Sequence, residues 1–410
     1  MATQFTVIVP TRDRADTLLH TLKTCVMQNY DNLTILVSDC FSSDHTKDVV
    51  HSFHDHRIKY VNPGKRLSMP QHWEFALSHV TGGHLTYVGD DDGLLPGAIA
   101  DISAVLAETN SKALAWLKVE YCWPDHIIPQ YRNLLRVPLR NVLTRYDSKV
   151  ALRDAARMWL PYNRTPCVYN AAVEYGLIKR IRDRTGTFFN CMTPDVYSGF
   201  ALLSVLDSYL YSSRPFTLNG ASGQSTGTSQ FAGQTDRRPI EKFMSELDPV
   251  NDDSSWVVAG SLTSSVADAL RKANQSCFDG RIMLNEKRIL RRIIQEISGQ
   301  EERQYAQSYE QVERLAAKTN HVAYARTLKG RYPCQRRGQR PIELGIDDRN
   351  VFTLDAELFG VSTVHSASLL VGQMVSSYSM PENIRSYSSY DKVVSRALRF
   401  LSDLPVDRSL

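Results

Sequence analysis

Residues 84–96 read His84-Leu85-Thr86-Tyr87-Val88-Gly89-Asp90-Asp91-Asp92-Gly93-Leu94-Leu95-Pro96, an apolar, β-rich run that ends in three adjacent carboxylates before a glycine and a proline. Carboxylates packed this closely repel one another unless they are protonated or neutralised by a cation. The economical reading is a divalent metal site at the end of a strand. Working back from it, Phe5 to Val9, Leu33 to Val37 and Arg57 to Val61 are further runs of strand length. Helical stripes lie between them: Leu18, Leu22 and Val26; Val49, Val50 and Phe53; Met69, Trp73, Ala76, Leu77 and Val80. The order βαβαβαβ predicts an α/β fold, a Rossmann-like, mainly parallel sheet with helices on both faces. Ligands of such sheets sit beyond the carboxyl ends of the strands. Those ends carry Pro10-Thr11-Arg12-Asp13-Arg14, Ser38-Asp39-Cys40-Phe41-Ser42-Ser43-Asp44 and the Asp triplet.

The chain of 410 residues is long enough for two domains, and 42% hydrophobic with 22% charged residues is ordinary for a soluble protein. A net charge of +4 carries no signature of a nucleic-acid partner. The seven cysteines are scattered without a C-x-x-C pair, a pattern from which neither a zinc knuckle nor a disulfide framework follows and which points to reduced, buried thiols in a reducing compartment. No basic, apolar leader precedes Phe5, and the apolar stretch Phe200 to Leu210 is interrupted by Asp207 and too short to span a bilayer. A cytoplasmic protein is expected. Its oligomeric state is not legible.

Beyond residue 100 a strand is expected at Leu114 to Val119 and a helix from about Asp195. Asn219 to Ser229 is rich in Gly, Ser and Thr and reads as a loop. From about Pro239 helical stripes and charge dominate, so a boundary is placed near Asp236 to Ile240. Residues 1–236 are then one domain, with halves 1–100 and 101–236, and 237–410 a mostly α-helical C-terminal region.

Val7 to Arg14, Ile35 to Asp39 with Ser42 and Asp44, and Tyr87 to Pro96 together resemble the opening strand and loop, the acidic turn and the metal motif of family 2 glycosyltransferases, which carry the GT-A fold. The resemblance covers the first hundred residues well, weakens toward residue 230 and stops there. It implies an inverting transferase that moves a sugar, such as a hexose, from a nucleoside-diphosphate sugar, with a UDP-sugar favoured, to a hydroxyl of a glycan, polysaccharide or lipid-linked acceptor. It also implies Mn2+ or Mg2+ as cofactor, which oxygen ligands suit.

In that resemblance Asp91 falls on the direct metal ligand, with Asp90 and Asp92 beside it. Gly89 stands where the family commonly has another Asp. Asp39 falls on the carboxylate that accepts a hydrogen bond from the base, while Ser42 and Asp44 read as turn and cap residues. Pro10, Thr11 and Arg14 would line the nucleotide, and Asp90 would share in holding it. Arg12 and Asp13 depart from the family's aromatic and Asn. Lys65, Arg66 and Ser68 would lie over the sugar-diphosphate. Trp73 reads as core and His72 as a surface residue. Asp195, behind Pro194 at the head of an apolar helix, matches the general base that takes the acceptor proton, although an Asp there also suits the helix dipole.

Two alternatives remain at this stage. A sugar-1-phosphate nucleotidyltransferase would want a glycine-rich phosphate loop, and residues 10–14 contain no glycine. A non-catalytic nucleotide-sugar or glycan-binding module would keep the fold without turnover. The acid-free basic stretch Arg326, Lys329, Arg331, Arg336, Arg337 and Arg340, with Lys287, Arg288, Arg291 and Arg292 on an amphipathic helix, leaves peripheral contact with the inner face of a membrane open.

Overall fold

The computed structural model describes residues 3–225, 255–335, 341–376 and 383–387. The first half runs β1 (Phe5–Thr11), α1 (Ala15–Val26), β2 (Leu33–Asp39), α2 (Thr46–His51), β3 (Ile58–Val61), α3 (Met69–Leu77) and β4 (His84–Tyr87). These strands pair in parallel in the order β3-β2-β1-β4. Phe5, Val7, Ile8, Val9, Ile35 and Val37 are fully buried, as strands covered on both faces must be. Thr11 lies in register with Asp39, and β4 stops just before the Asp triplet, so the expected three strand ends open on one side.

The chain continues through β5 (Gly93–Leu94), α4 (Ala98–Thr109), β6 (Ala113–Trp116), β7 (Val119–Cys122), β8 (Leu134–Pro138), β9 (Leu143–Asp147), α5 (Ser148–Ala156), β10 (Ala171–Glu174), α6 (Tyr175–Thr185), α7 (Pro194–Leu202), β11 (Ser208–Ser212) and β12 (Thr217–Ala221). The single strand expected over Leu114 to Val119 is two strands in two sheets. Trp116 ends its pairing with β11 in the large sheet, and Val119 starts pairing with β12 in the small one. The intervening Lys118 turns instead to Asn219. Antiparallel β10 lies between β4 and β6 and ends the parallel run.

The C-terminal part contains α8 (Leu262–Cys277), α9 (Glu286–Ile297), α10 (Glu302–Lys318), α11 (Val322–Arg331), β13 (Gly345–Ile346), β14 (Val351–Asp355), α12 (Val364–Val375) and β15 (Ile384–Ser386). The expected boundary near residue 236 lies outside the described residues. Helices follow it, and α9 to α11 enclose their own core of Ile293, Ile294, Ile297, Val312 and Leu315. Helix α8, by contrast, buries Ala269, Leu270 and Ala273 in one cluster with Tyr197 and Phe200 of α7. The last strands return to the sheets built by residues 1–221, with β14 paired to β8 and β15 to β9. The large sheet therefore reads β15-β9-β11-β6-β10-β4-β1-β2-β3 and the small one β13-β14-β8-β7-β12-β5. Among the described residues no helix is long and apolar enough to cross a membrane.

Candidate active site

The loop after β1 is tied to the loop after β2. Cys40 N–H donates to Thr11 O, Asp13 N–H to Ser42 Oγ, and Ser43 N–H to Asp13 Oδ1 at 2.7 Å. Asp44 accepts from Ala15 N–H at 3.0 Å and from Thr46, so it caps the first turn of α1 from across the crevice. Asp44 meets the expected turn into α2 through Thr46 but also caps α1, and Ser42 braces the β1 loop through Asp13. Arg66 donates to Asp13 at 2.8 Å, which brings the loop after β3 to the same wall. Lys65 is exposed beside it. Ser68 is buried and forms a capping box with Gln71 at the start of α3, so its hydroxyl is engaged in the helix end.

Asp39 is 2% exposed. Its Oδ1 accepts from Ser42 N–H at 2.9 Å, and its Oδ2 accepts from Tyr60 Oη at 2.6 Å and Asn62 Nδ2 at 3.2 Å. Burial, then the bond to this carboxylate, push the Tyr60 phenol up to about 12. His72, expected at the surface, is instead 6% exposed, with Nε2 2.9 Å from Ser38 Oγ. Burial drives its pKa down to about 4. Position 72 falls three after Met69 and four before Ala76, so the helical stripe that placed Trp73 in the core also includes it. Trp73 stacks on Tyr87 at 4.4 Å, as a core residue.

The three Asp side chains diverge into different roles. Asp90 takes Thr11 Oγ1 on Oδ2 at 2.8 Å and Arg14 Nη1 on Oδ1 at 2.9 Å. Arg14 also reaches within 3.9 Å of Asp91 and donates to the carbonyl of Gln224. Burial works against the Arg14 charge, but Asp90 and Asp91 hold the guanidinium protonated above its ordinary value. Asp92 is bonded by Gly220 N–H at 2.6 Å, Gly89 N–H at 3.1 Å and the Tyr169 hydroxyl. Asp91 accepts from Ser222 Oγ at 2.7 Å on Oδ2 alone, and among the described residues no donor reaches its Oδ1. Burial, reinforced by Asp92 and Asp90 and opposed by Arg14, pushes its pKa up to about 7.

This arrangement also accounts for Gly89. A Cβ there would collide with Tyr169 Oη and stand 3.0 Å from Asp92 Oδ2, so the side chain the family commonly carries has no room. A divalent cation is compatible with one ligand of the set. Asp91 has an open oxygen and too little neighbouring positive charge, whereas the oxygens of Asp90 and Asp92 are engaged by protein donors. Among the described residues no cluster of three or more His, Cys, Asp or Glu is poised as a metal cage, so phosphate oxygens and water would complete the shell.

Asp195 lies in the first turn of α7. Burial raises its carboxyl above the usual range, while the Val196 N–H and the Lys118 charge pull it back. Lys118 is the functional candidate that sequence reasoning missed. Its Nζ sits 4.5 Å from the Tyr169 ring centre, donates to Asn219 Oδ1 at 2.7 Å, and acts on Asp92 as well as Asp195. The one available signal was a charged residue breaking the apolar run Leu114 to Val119. Tyr169 carried no signal, and Ser222 and the Gly220 backbone lay in a stretch read only as a Gly-, Ser- and Thr-rich loop.

A 3-2-1-4 parallel half with an acidic strand end, followed by an antiparallel strand, is the arrangement expected from the resemblance to GT-A folds. Residues 6–154 match the family model described as Glycosyl transferase family 2. A curated relative, the GalNAc(5)-diNAcBac-PP-undecaprenol beta-1,3-glucosyltransferase of Campylobacter jejuni, is 36% identical over 102 residues, 24% of this chain. The chain spans 33% of that relative's length. Among solved structures, S. aureus TarS 1-349 in complex with UDP-GlcNAc has a TM-score of 0.46 at 16% identity, covering 85% of this chain and 95% of that one. The mannosyltransferase PcManGT from Pyrobaculum calidifontis, in complex with GDP-Man and Mn2+, has a TM-score of 0.41 at 15% identity over 81% of this chain and 87% of its own.

Proposed function

We propose that the protein is an inverting glycosyltransferase that moves a sugar from a nucleoside-diphosphate donor, a UDP-sugar by preference, to a hydroxyl of a glycan or lipid-linked acceptor. The observation that carries this reading is the acidic end of β4, where Asp91 accepts from Ser222 on one oxygen alone among the described residues, together with Lys118, whose charge acts both on Asp92 and on Asp195 at the head of α7. Asp39 accepts the imide N–H of the base. Pro10 and Thr11 lie along the nucleoside, and Arg14, Lys65 and Arg66 supply positive charge toward the diphosphate. Ser68 reaches the donor only through its backbone, since its side chain caps α3.

In the transfer itself Asp195 accepts the acceptor's proton as the hydroxyl oxygen attacks the anomeric carbon, and the bond from that carbon to the diphosphate oxygen breaks. A bound Mn2+ or Mg2+, held by Asp91, would stabilise the departing diphosphate charge. Asp90 keeps Arg14 and Thr11 in place beside it, and Asp92 anchors the β12 turn. The undecaprenol-linked substrate in the relative's name supports an acceptor of that class. The test is donor turnover with and without Mn2+ in the wild type and in Asp91→Asn. Transfer is expected to vanish in the variant while its circular dichroism is unchanged; undiminished turnover would overturn the assignment.

A further inference from the structure

Among the described residues, non-glycine positions with positive φ are Asp13, Phe41, Asn110, Asn133, Met158, Asp279, Asn320 and Asn350. Asn and Asp tolerate this region, but for a bulky side chain it is an outlier that needs compensation. Met158 has it, being 6% exposed in the core around Ile293 and Tyr309. Phe41, at φ 59°, is 50% exposed and so gains little burial in return. A glycine would sit there without strain. Strain of this kind, held without packing reward, points to a contact made only with a ligand.

The place of Phe41 identifies that ligand. Its N–H donates to Asp39 O at 2.8 Å, two residues after the carboxylate assigned to the base, in the turn stitched to the β1 loop through Ser42 and Asp13. Phe41 is the one Phe, Tyr or Trp in the loops after β1, β2 and β3, and Tyr60 lies within β3 itself. Tyr60 spends its hydroxyl on Asp39 and meets the His51 ring edge-on at 5.7 Å. Phe41 stacks on no other aromatic ring among the described residues.

We infer that Phe41 is the stacking platform for the donor's nucleobase, covering its π face while Asp39 reads its edge. This rests on the reading of the crevice as a nucleotide site. Stacking is tolerant of base identity because every base has a π face, so Phe41 supplies affinity and Asp39 selectivity.

The test is calorimetric binding of UDP and GDP, each with Mn2+, to the full chain as wild type, Phe41→Gly, Phe41→Trp and Asp39→Asn, with a melting temperature for each. Phe41→Gly is expected to weaken both nucleotides by a similar factor, about 5- to 150-fold, without lowering the melting temperature. Phe41→Trp should bind within about twofold of wild type or tighter, the larger ring stacking at least as well. Asp39→Asn should change the UDP-to-GDP ratio. Unaltered affinity in Phe41→Gly, with Asp39→Asn impaired, would overturn the stacking role and leave the nucleotide site standing. A lower melting temperature together with weak binding in Phe41→Trp would make the ring structural and refute the inference. Failure of the wild type to bind either nucleotide would remove the site reading and the inference with it.

Discussion

Replacing Gly89 by alanine tests the account of the acidic strand end most directly. The glycine has no special backbone angle, so its role is spatial: a Cβ would run into Tyr169 Oη and stand 3.0 Å from Asp92 Oδ2. Asp92 is buried, Tyr169 is half-buried, the two are bonded to each other, and neither is the free end of a flexible chain. Overpacking of this kind costs about 1–3 kcal/mol. Tyr169→Phe removes the colliding oxygen and also a hydrogen bond to a carboxylate, a loss of about 1.5–3 kcal/mol. Once that bond is gone the added methyl has little left to strike, so the double variant should fall short of the summed losses by about 1–2 kcal/mol. Urea denaturation of the full chain as wild type, both singles and the double closes the cycle. Additivity within about 0.5 kcal/mol would show that Gly89 does not make room for Tyr169, and the explanation of the absent carboxylate would fall.

His72 makes stability pH-dependent. Its folded pKa of about 4 lies below the ordinary value of 6.5, so the unfolded chain binds the proton more readily, and the stability present above pH 6.5 is lost as pH falls toward 4. The ceiling is about 3 kcal/mol, and a His72→Gln variant should flatten that limb of a denaturation series; an unchanged slope would contradict it. Lys118→Met should move the acid limb of the kcat/KM pH profile upward, because the charge that lowers the Asp195 pKa is gone, whereas Lys118→Arg should keep it in place. A profile identical to wild type in the Met variant would separate Lys118 from Asp195.

Much of the first half was legible because its determinants are local. The alternation of short apolar runs with stripes at helical spacing identified β1 to β4 and α1 to α3, and the general placement of ligands at strand ends pointed to Arg14, Asp39 and Asp91. The division of Leu114 to Val119 into two strands was not legible, since the break depends on which partners, β11 and β12, arrive from a hundred residues downstream. The burial of His72 was available in the helical stripe but concealed by its polarity.

What the sequence by itself determined is the order of elements and the presence of an acidic strand end, both consequences of side-chain periodicity and short-range turn chemistry. Only the tertiary structure decided how the three carboxylates divide their roles. Among the described residues Asp90 is paired by Arg14 from the first strand's loop, Asp92 is saturated by Gly220 and Tyr169, and Asp91 alone keeps an open oxygen. Identical side chains in adjacent positions have the same intrinsic chemistry; what separates them is the donors and charges that folding brings alongside, and those come from the far side of the chain.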